Sequence, residues 1–176
     1  MSSQLGPELL TATTKGDLDL VKSLFLTLSP LTSIDNIAIE ATRAGKINIL
    51  SWCFSKGFIP PSTSVNGDFY HAACDSYSPD IWRELVKHGY DLNVHSSEFH
   101  GDALCLAAWK GNVELAKTLL ELGQDPNSDH YFSDETAIIL AIVGEDSSMK
   151  IVELLVKYGL ELKGTGAAGK SILLGI

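Results

Sequence analysis

Apolar residues along this chain recur at helical spacing in short blocks, and each block is cut off by a glycine or a polar turn. Between Val113 and Leu122, the positions Val113, Leu115, Ala116, Leu119 and Leu120 fall on one helical face. Glu114, Lys117, Thr118 and Glu121 fall on the other. The block stops at Gly123, and Asp125-Pro126-Asn127 turns the chain outward. Ahead of it lies a shorter block, Ala103 to Trp109, closed by Gly111, and Asn112 is placed to cap the helix that follows. The pattern predicts a short helix, a tight break, a second helix and an outward loop.

Four other stretches keep this grammar. They predict helix pairs at Leu9 to Lys15 with Leu18 to Leu26, and Ile37 to Ala44 with Ile47 to Ser55. The remaining two are Tyr70 to Asp75 with Pro79 to His88, and Ala137 to Val143 with Met149 to Tyr158. An alanine marks each unit, at Ala12, Ala41, Ala72, Ala107 and Ala141, with spacings of 29, 31, 35 and 34 residues. Self-similarity at this period means a stack of small units that bury their faces against one another, not a globule around one centre. Ser76-Tyr77-Ser78 reads as a longer joint in the third unit, and Gly144 to Ser148 as a polar joint in the fifth. The expected units are 7–33, 34–65, 66–97, 98–131 and 132–163, with 164–176 opening a sixth. The apolar end Ser171 to Ile176 fits either a fragment of a longer array or a half-unit cap.

The segments "LAAWKGNVELAKTLLELGQDPN" (Leu106 to Asn127), "KIVELLVKYGLEL" (Lys150 to Leu162) and "TTKGDLDLVKSLF" (Thr13 to Phe25) resemble the ankyrin repeat. The resemblance covers nearly the whole chain and implies an all-α ankyrin-repeat solenoid of helix-turn-helix units with finger loops. The family's Thr-Pro-Leu-His signature is absent. Its place holds "GDALCLAA" (Gly101 to Ala108), which is similar to a variant common in fungal arrays.

Composition narrows the classes. The chain has 176 residues, 45% hydrophobic and 20% charged, an ordinary balance for a folded domain. No apolar run approaches the ~20 residues that cross a membrane, and no secretory signal is evident, so a cytoplasmic or nuclear location and no membrane partner are expected. The net charge of −9 disfavours nucleic-acid backbones. Cys53, Cys74 and Cys105 are odd in number and widely spaced, as free thiols in a reducing compartment would be.

Several motifs could carry chemistry. Gly164 to Ser171 spells the phosphate-loop pattern G-x-x-x-x-G-K-[ST], but the strand before and the sheet around it that this chemistry needs are missing. His71 and Cys74 share a helix face, with Cys105 and His100 in the next unit, yet no fourth ligand and no regular ligand spacing accompany them. Cys53, between Trp52 and Phe54, reads as core. Asp68, Asp75, Glu98 and Asp102 read mainly as caps and turn formers. No cofactor, metal site or catalytic residue is expected, and catalysis is disfavoured.

The resemblance implies that finger tips and the exposed side of the short helices line a concave groove. On this chain that selects Glu98, Phe99, His100, His130, Tyr131 and Phe132 from the fingers, and Arg43, Asp75, Tyr77, Trp109 and Lys110 from the short helices. Aromatic and Arg residues are the types that anchor interfaces. The expected function is non-catalytic recognition of another protein through this groove. The alternative is a small-molecule binder or pathway enzyme built on the same stack, which would need a closed pocket between the third and fourth units.

Overall fold

A computed structural model describes residues 6–28, 32–61, 67–92, 102–127 and 136–161. Those residues form ten helices and no strand. The first of each pair, called inner here, are α1 (Pro7–Lys15), α3 (Ile34–Arg43), α5 (Gly67–Asp75), α7 (Ala103–Trp109) and α9 (Ala137–Val143). The outer helices are α2 (Leu18–Leu28), α4 (Ile47–Ser55), α6 (Pro79–Lys87), α8 (Val113–Glu121) and α10 (Met149–Lys157).

Local chemistry sets the helix starts. Asn112 accepts the Leu115 N–H at 3.0 Å and so caps α8. Ser78 accepts the Ile81 N–H, and Pro79 takes the first helical position, where no N–H is needed. The buried Asp102 accepts the Cys105 N–H at 2.9 Å and caps α7. Three inner helices start earlier than the apolar pattern predicts, α1 among them, at Pro7 instead of Leu9. Ser33 accepts the Asp35 N–H, which opens α3 at Ile34 instead of Ile37. α5 opens at Gly67 with Asp68 in its first turn, where a carboxylate is favourable, instead of at Tyr70.

The joints between inner and outer helices correct the register of the third unit. The N–H groups of Gly16, Gly45, Tyr77 and Gly111 donate to the carbonyls of Thr13, Thr42, Cys74 and Ala108 at 3.0–3.1 Å. These four positions are therefore equivalent. The alanine of the third unit is Ala73, not Ala72, and the spacings become 29, 32, 34 and 34 residues. Nor is the joint Ser76-Tyr77-Ser78 longer than its neighbours. It is three residues long, like Ala44-Gly45-Lys46 and Lys110-Gly111-Asn112, with tyrosine in the place of glycine.

The units stack along the outer row throughout, and along the inner row on either side of the junction between the third and fourth units. α1 packs on α3 and α3 on α5, α7 packs on α9, and the outer helices follow one another from α2 to α10. Leu9, Ile37, Ile49, Leu50, Trp82, Leu85, Leu104, Leu119 and Ile151 are buried in one continuous core. Each buried aliphatic side chain contributes roughly 1.5–3 kcal/mol. Polar bonds cross between units close to the repeat period: Asn48 to the Gly16 carbonyl, Ser51 to Glu84, Arg83 to Thr118, and Asn127 to the Gly159 carbonyl. One buried position breaks the apolar pattern. The residue after the closing glycine of α4, α6, α8 and α10 is Phe58, Tyr90, Gln124 and Leu160 in turn, and the Gln124 amide is buried with neither atom hydrogen-bonded. No helix among the described residues is long and apolar enough to cross a membrane.

Candidate functional site

Two residues beyond the marker alanine, each inner helix presents an exposed side chain: Thr14, Arg43, Asp75, Trp109 and Val143. This crest runs across the stack and changes character along it. The first three units place polar and charged groups there, and the last two place apolar ones.

In the charged half, the Arg43 guanidinium reaches Glu40 one turn earlier on α3, and it lies 3.6 Å from the Asp75 carboxylate in the next unit. Both partners of the longer pair are open to water, with 39% and 60% of their side chains exposed. Such pairs contribute little to stability, between about 0 and 1 kcal/mol.

The middle of the crest is more unusual. Tyr77 sits at φ 47°, the one positive value outside glycine among the described residues, and its side chain is 38% exposed. The left-handed region disfavours residues with a Cβ, and a bulky ring there is an outlier. Trp109 follows in the next unit at 37% exposure. Its side chain lies beside Glu145, and the Lys110 ammonium pairs with that carboxylate. These contacts hold Glu145 below the usual carboxylate value, first through Lys110 and then through Trp109. They also raise Lys110, chiefly through its hydrogen bond to Glu145, with smaller electrostatic contributions that include Tyr77. Three side chains from two consecutive units, Trp109, Lys110 and Glu145, thus come together, and Tyr77 of the preceding unit acts on Lys110 through its field alone.

A short insertion makes this meeting possible. In the first, second and fourth units, the marker alanine carbonyl accepts from the residue five positions on: Asp17, Lys46 and Asn112. In the fifth, Ala141 accepts from Ser148, seven positions on, at 2.8 Å. The two extra residues fold back over the joint of the fourth unit. A Cβ on Gly111 would stand 2.3 Å from the Asp146 carbonyl oxygen, and one on Gly144 would stand 2.4 Å from that of Trp109. Glycine at both positions lets the two backbones touch, and the contact brings Glu145 to Trp109 and Lys110.

Of the residues selected from the sequence, Arg43, Asp75, Tyr77, Trp109 and Lys110 lie along this crest or its joints. Glu98, Phe99, His100, His130, Tyr131 and Phe132 lie outside the described residues, as does the phosphate-loop pattern from Gly164 to Ser171. Glu145 and Asp146 were not singled out. Their only sequence signal is the polarity of Gly144 to Ser148, which does not reveal that the segment folds back by one unit.

The thiols are part of the packing. Cys53 and Cys74 are both pushed up to about 12, mainly by burial, with the Tyr70 hydroxyl bond partly opposing the shift at Cys74. Both therefore stay protonated near neutral pH, which removes their nucleophilic form. Cys105 is fully buried. Among the described residues, no three His, Cys, Asp or Glu side chains come together in a group that could hold a metal ion. A cleft of about 380 Å³ opens in the first unit beside Pro7, Glu8, Thr11, Lys15 and Leu20, with no catalytic set in it.

Paired helices, left-handed joints and two packed helix rows define a helical-repeat solenoid with an exposed inner crest. The family model for ankyrin repeats, in three copies, matches residues 9–130, the greater part of the chain, and the protein belongs to that family. An ankyrin repeat protein of Rickettsia felis is 38% identical over 79 residues, covering 45% of this chain and 18% of the relative. The ankyrin repeat protein FPV018 of fowlpox virus is 26% identical over 123 residues, covering 70% of this chain and 17% of its own length. FPV024 of the same virus is 24% identical over 103 residues, covering 58% and 17%. The matched regions thus span under a fifth of each relative. These relatives are bacterial and viral, so the fungal-type expectation rests on Gly101 to Ala108 alone.

Proposed function

We propose that this chain, in keeping with the general role of ankyrin repeats as protein–protein interaction modules, holds a partner protein, without catalysis, against the inner crest at Asp75, Tyr77, Trp109 and Lys110. Glu98, Phe99, His100, His130, Tyr131 and Phe132, selected from the sequence and outside the described residues, belong to the same proposed contact set. The observation that carries this reading is the exposure of Tyr77 and Trp109 in consecutive units, the second of them beside the Lys110–Glu145 pair. The tyrosine is kept in a backbone conformation that glycine would adopt at lower cost. Strain of that kind supports a role for the side chain beyond folding. The stack holds these anchors in place before binding, so little conformational freedom is lost on association.

The test is affinity capture from lysate of the source organism with wild type and with a Tyr77→Ser/Trp109→Ala variant, its fold checked by circular dichroism. A protein retained by wild type and lost from the variant supports the reading. A partner retained by both overturns the site. If no protein is retained while small ligands raise the melting temperature, the small-molecule alternative takes its place.

A further inference from the structure

We infer that the surface around Trp109 receives a cationic side chain, arginine or lysine, carried on an extended segment of the partner. This inference rests on the protein-binding reading above and names the chemistry of its partner. Trp109 lies beside Glu145, whose carboxylate is already engaged by Lys110. What the exposed part of this ring can offer a partner is its apolar π surface, which attracts cations as well as apolar groups. The charges beside it choose between those two. Around Trp109 itself, Asp75, Glu145 and Asp146 stand against one cation, Lys110, whereas Arg43 and Lys46 lie with Glu40 farther along the crest and its joints, and the chain as a whole carries −9.

Lys110 is held by Glu145, and Arg43 is shared between Glu40 and Asp75. The Asp75 carboxylate remains 60% exposed, with its one recorded cation at 3.6 Å. An acidic segment would meet this excess of carboxylates as like charge. An apolar one would strip water from carboxylates and give nothing back. A guanidinium or ammonium over the Trp109 ring gains the π contact and lies within reach of acidic side chains on neighbouring units.

The test uses the full chain, labelled with ¹⁵N, and three matched synthetic peptides. One is a glycine-serine peptide with interspersed arginines, one carries neutral citrulline in their place, and one carries glutamate. The Trp109 indole resonance is assigned by its loss in Trp109→Phe. The arginine peptide is expected to move that resonance and the Lys110 and Gly111 amides saturably, and binding is expected to weaken as salt is added. The citrulline peptide should bind about tenfold more weakly. An Asp75→Asn/Asp146→Asn variant should lose about fivefold for the arginine peptide at unchanged circular dichroism. Equal binding of citrulline, tighter binding of glutamate, or no movement at Trp109 with the arginine peptide would overturn the inference. The two readings fail separately. A captured partner that depends on Tyr77 and Trp109 but cross-links there through a segment lacking Arg and Lys overturns the cation and leaves protein binding standing. An arginine peptide that docks while capture yields no protein does the reverse.

Discussion

At Tyr77 and at Gly111 the chain makes the same left-handed turn, with φ of 47° and 62°, in two successive units. Gly111 is glycine for two reasons: the backbone favours it, and the Asp146 carbonyl occupies the space a Cβ would need. Nothing in the turn at Tyr77 calls for an aromatic ring, and the conformation costs a side-chain-bearing residue ~1–2 kcal/mol. One joint is shaped by the packing of its neighbour. The other carries a side chain outward against its own local preference. In a stack whose units share a core, differences at the joints are where one array departs from another.

The sharpest way to test this contrast is to add one methyl group at two glycines. Gly45 also turns left-handed, at φ 66°, but a Cβ there meets nothing within 4 Å. Gly45→Ala should cost about 1 kcal/mol, from the backbone alone. Gly111→Ala should cost about 3 kcal/mol, because the methyl group also forces the Asp146 backbone away. Urea melts of the two variants give both values. Equal losses would mean that the fold-back of the fifth unit is loose and that Glu145 is not held on Trp109 by packing.

Much of this architecture is legible in the sequence, and the failures have physical causes. The spacing of Leu115, Leu119 and their neighbours, with Asn112 before them and Gly123 after, located α8 to within one residue. α4 (Ile47–Ser55), α7 (Ala103–Trp109) and α9 (Ala137–Val143) fall where the pattern predicts them. The third unit slipped by one because Ala72 and Ala73 are adjacent, and only the hydrogen bond from Tyr77 to the Cys74 carbonyl tells them apart. The joint there read as an insertion because tyrosine is not expected where glycine belongs. Of the site, Asp75, Tyr77, Trp109 and Lys110 could be placed by analogy between units. Glu145 could not, since its pairing with Lys110, 35 residues away, depends on a fold-back that no periodicity encodes.

Beneath the joints, the third and fourth units differ again, at Tyr90 and Gln124. Tyr90 packs against Phe69 and Trp82, whereas Gln124 is 2% exposed with both amide atoms unpaired. A buried unpaired amide costs roughly 1–3 kcal/mol. Gln124→Leu should therefore stabilise the protein by about 1.5 kcal/mol, read as a higher urea midpoint at unchanged slope. A destabilised variant would show that the amide is satisfied in solution.

Tyr77→Asn sharpens the contrast at smaller scale. Asparagine tolerates the left-handed region and avoids the extra unfolded-state freedom of glycine. The variant should gain about 0.5–1 kcal/mol in stability while losing partner retention in the capture experiment. Stability and binding moving in opposite directions is the signature of a residue kept for contact. A loss of both would place Tyr77 among the packing residues.

The smallest effect concerns the charges at the crest. The Lys110–Glu145 pair is exposed, with 34% and 54% of its side chains open to water, so Lys110→Gln should leave the urea midpoint unchanged within error. Its effect should appear instead in titration. Glu145 lies below its ordinary value of 4.5 in the folded chain, mainly because of Lys110 and then Trp109. A depressed carboxylate contributes its share of stability above the unfolded value, and that share is lost as pH falls through the folded one. The Trp109 indole resonance, beside this carboxylate, should report a midpoint below 4.5 in the wild type and one moved up toward the ordinary value in Lys110→Gln. Glu145→Gln should abolish the acid titration of that resonance altogether. An indole resonance that titrates identically in all three proteins would uncouple Trp109 from Glu145, and the fifth unit would then have no hold on the aromatic crest of the fourth.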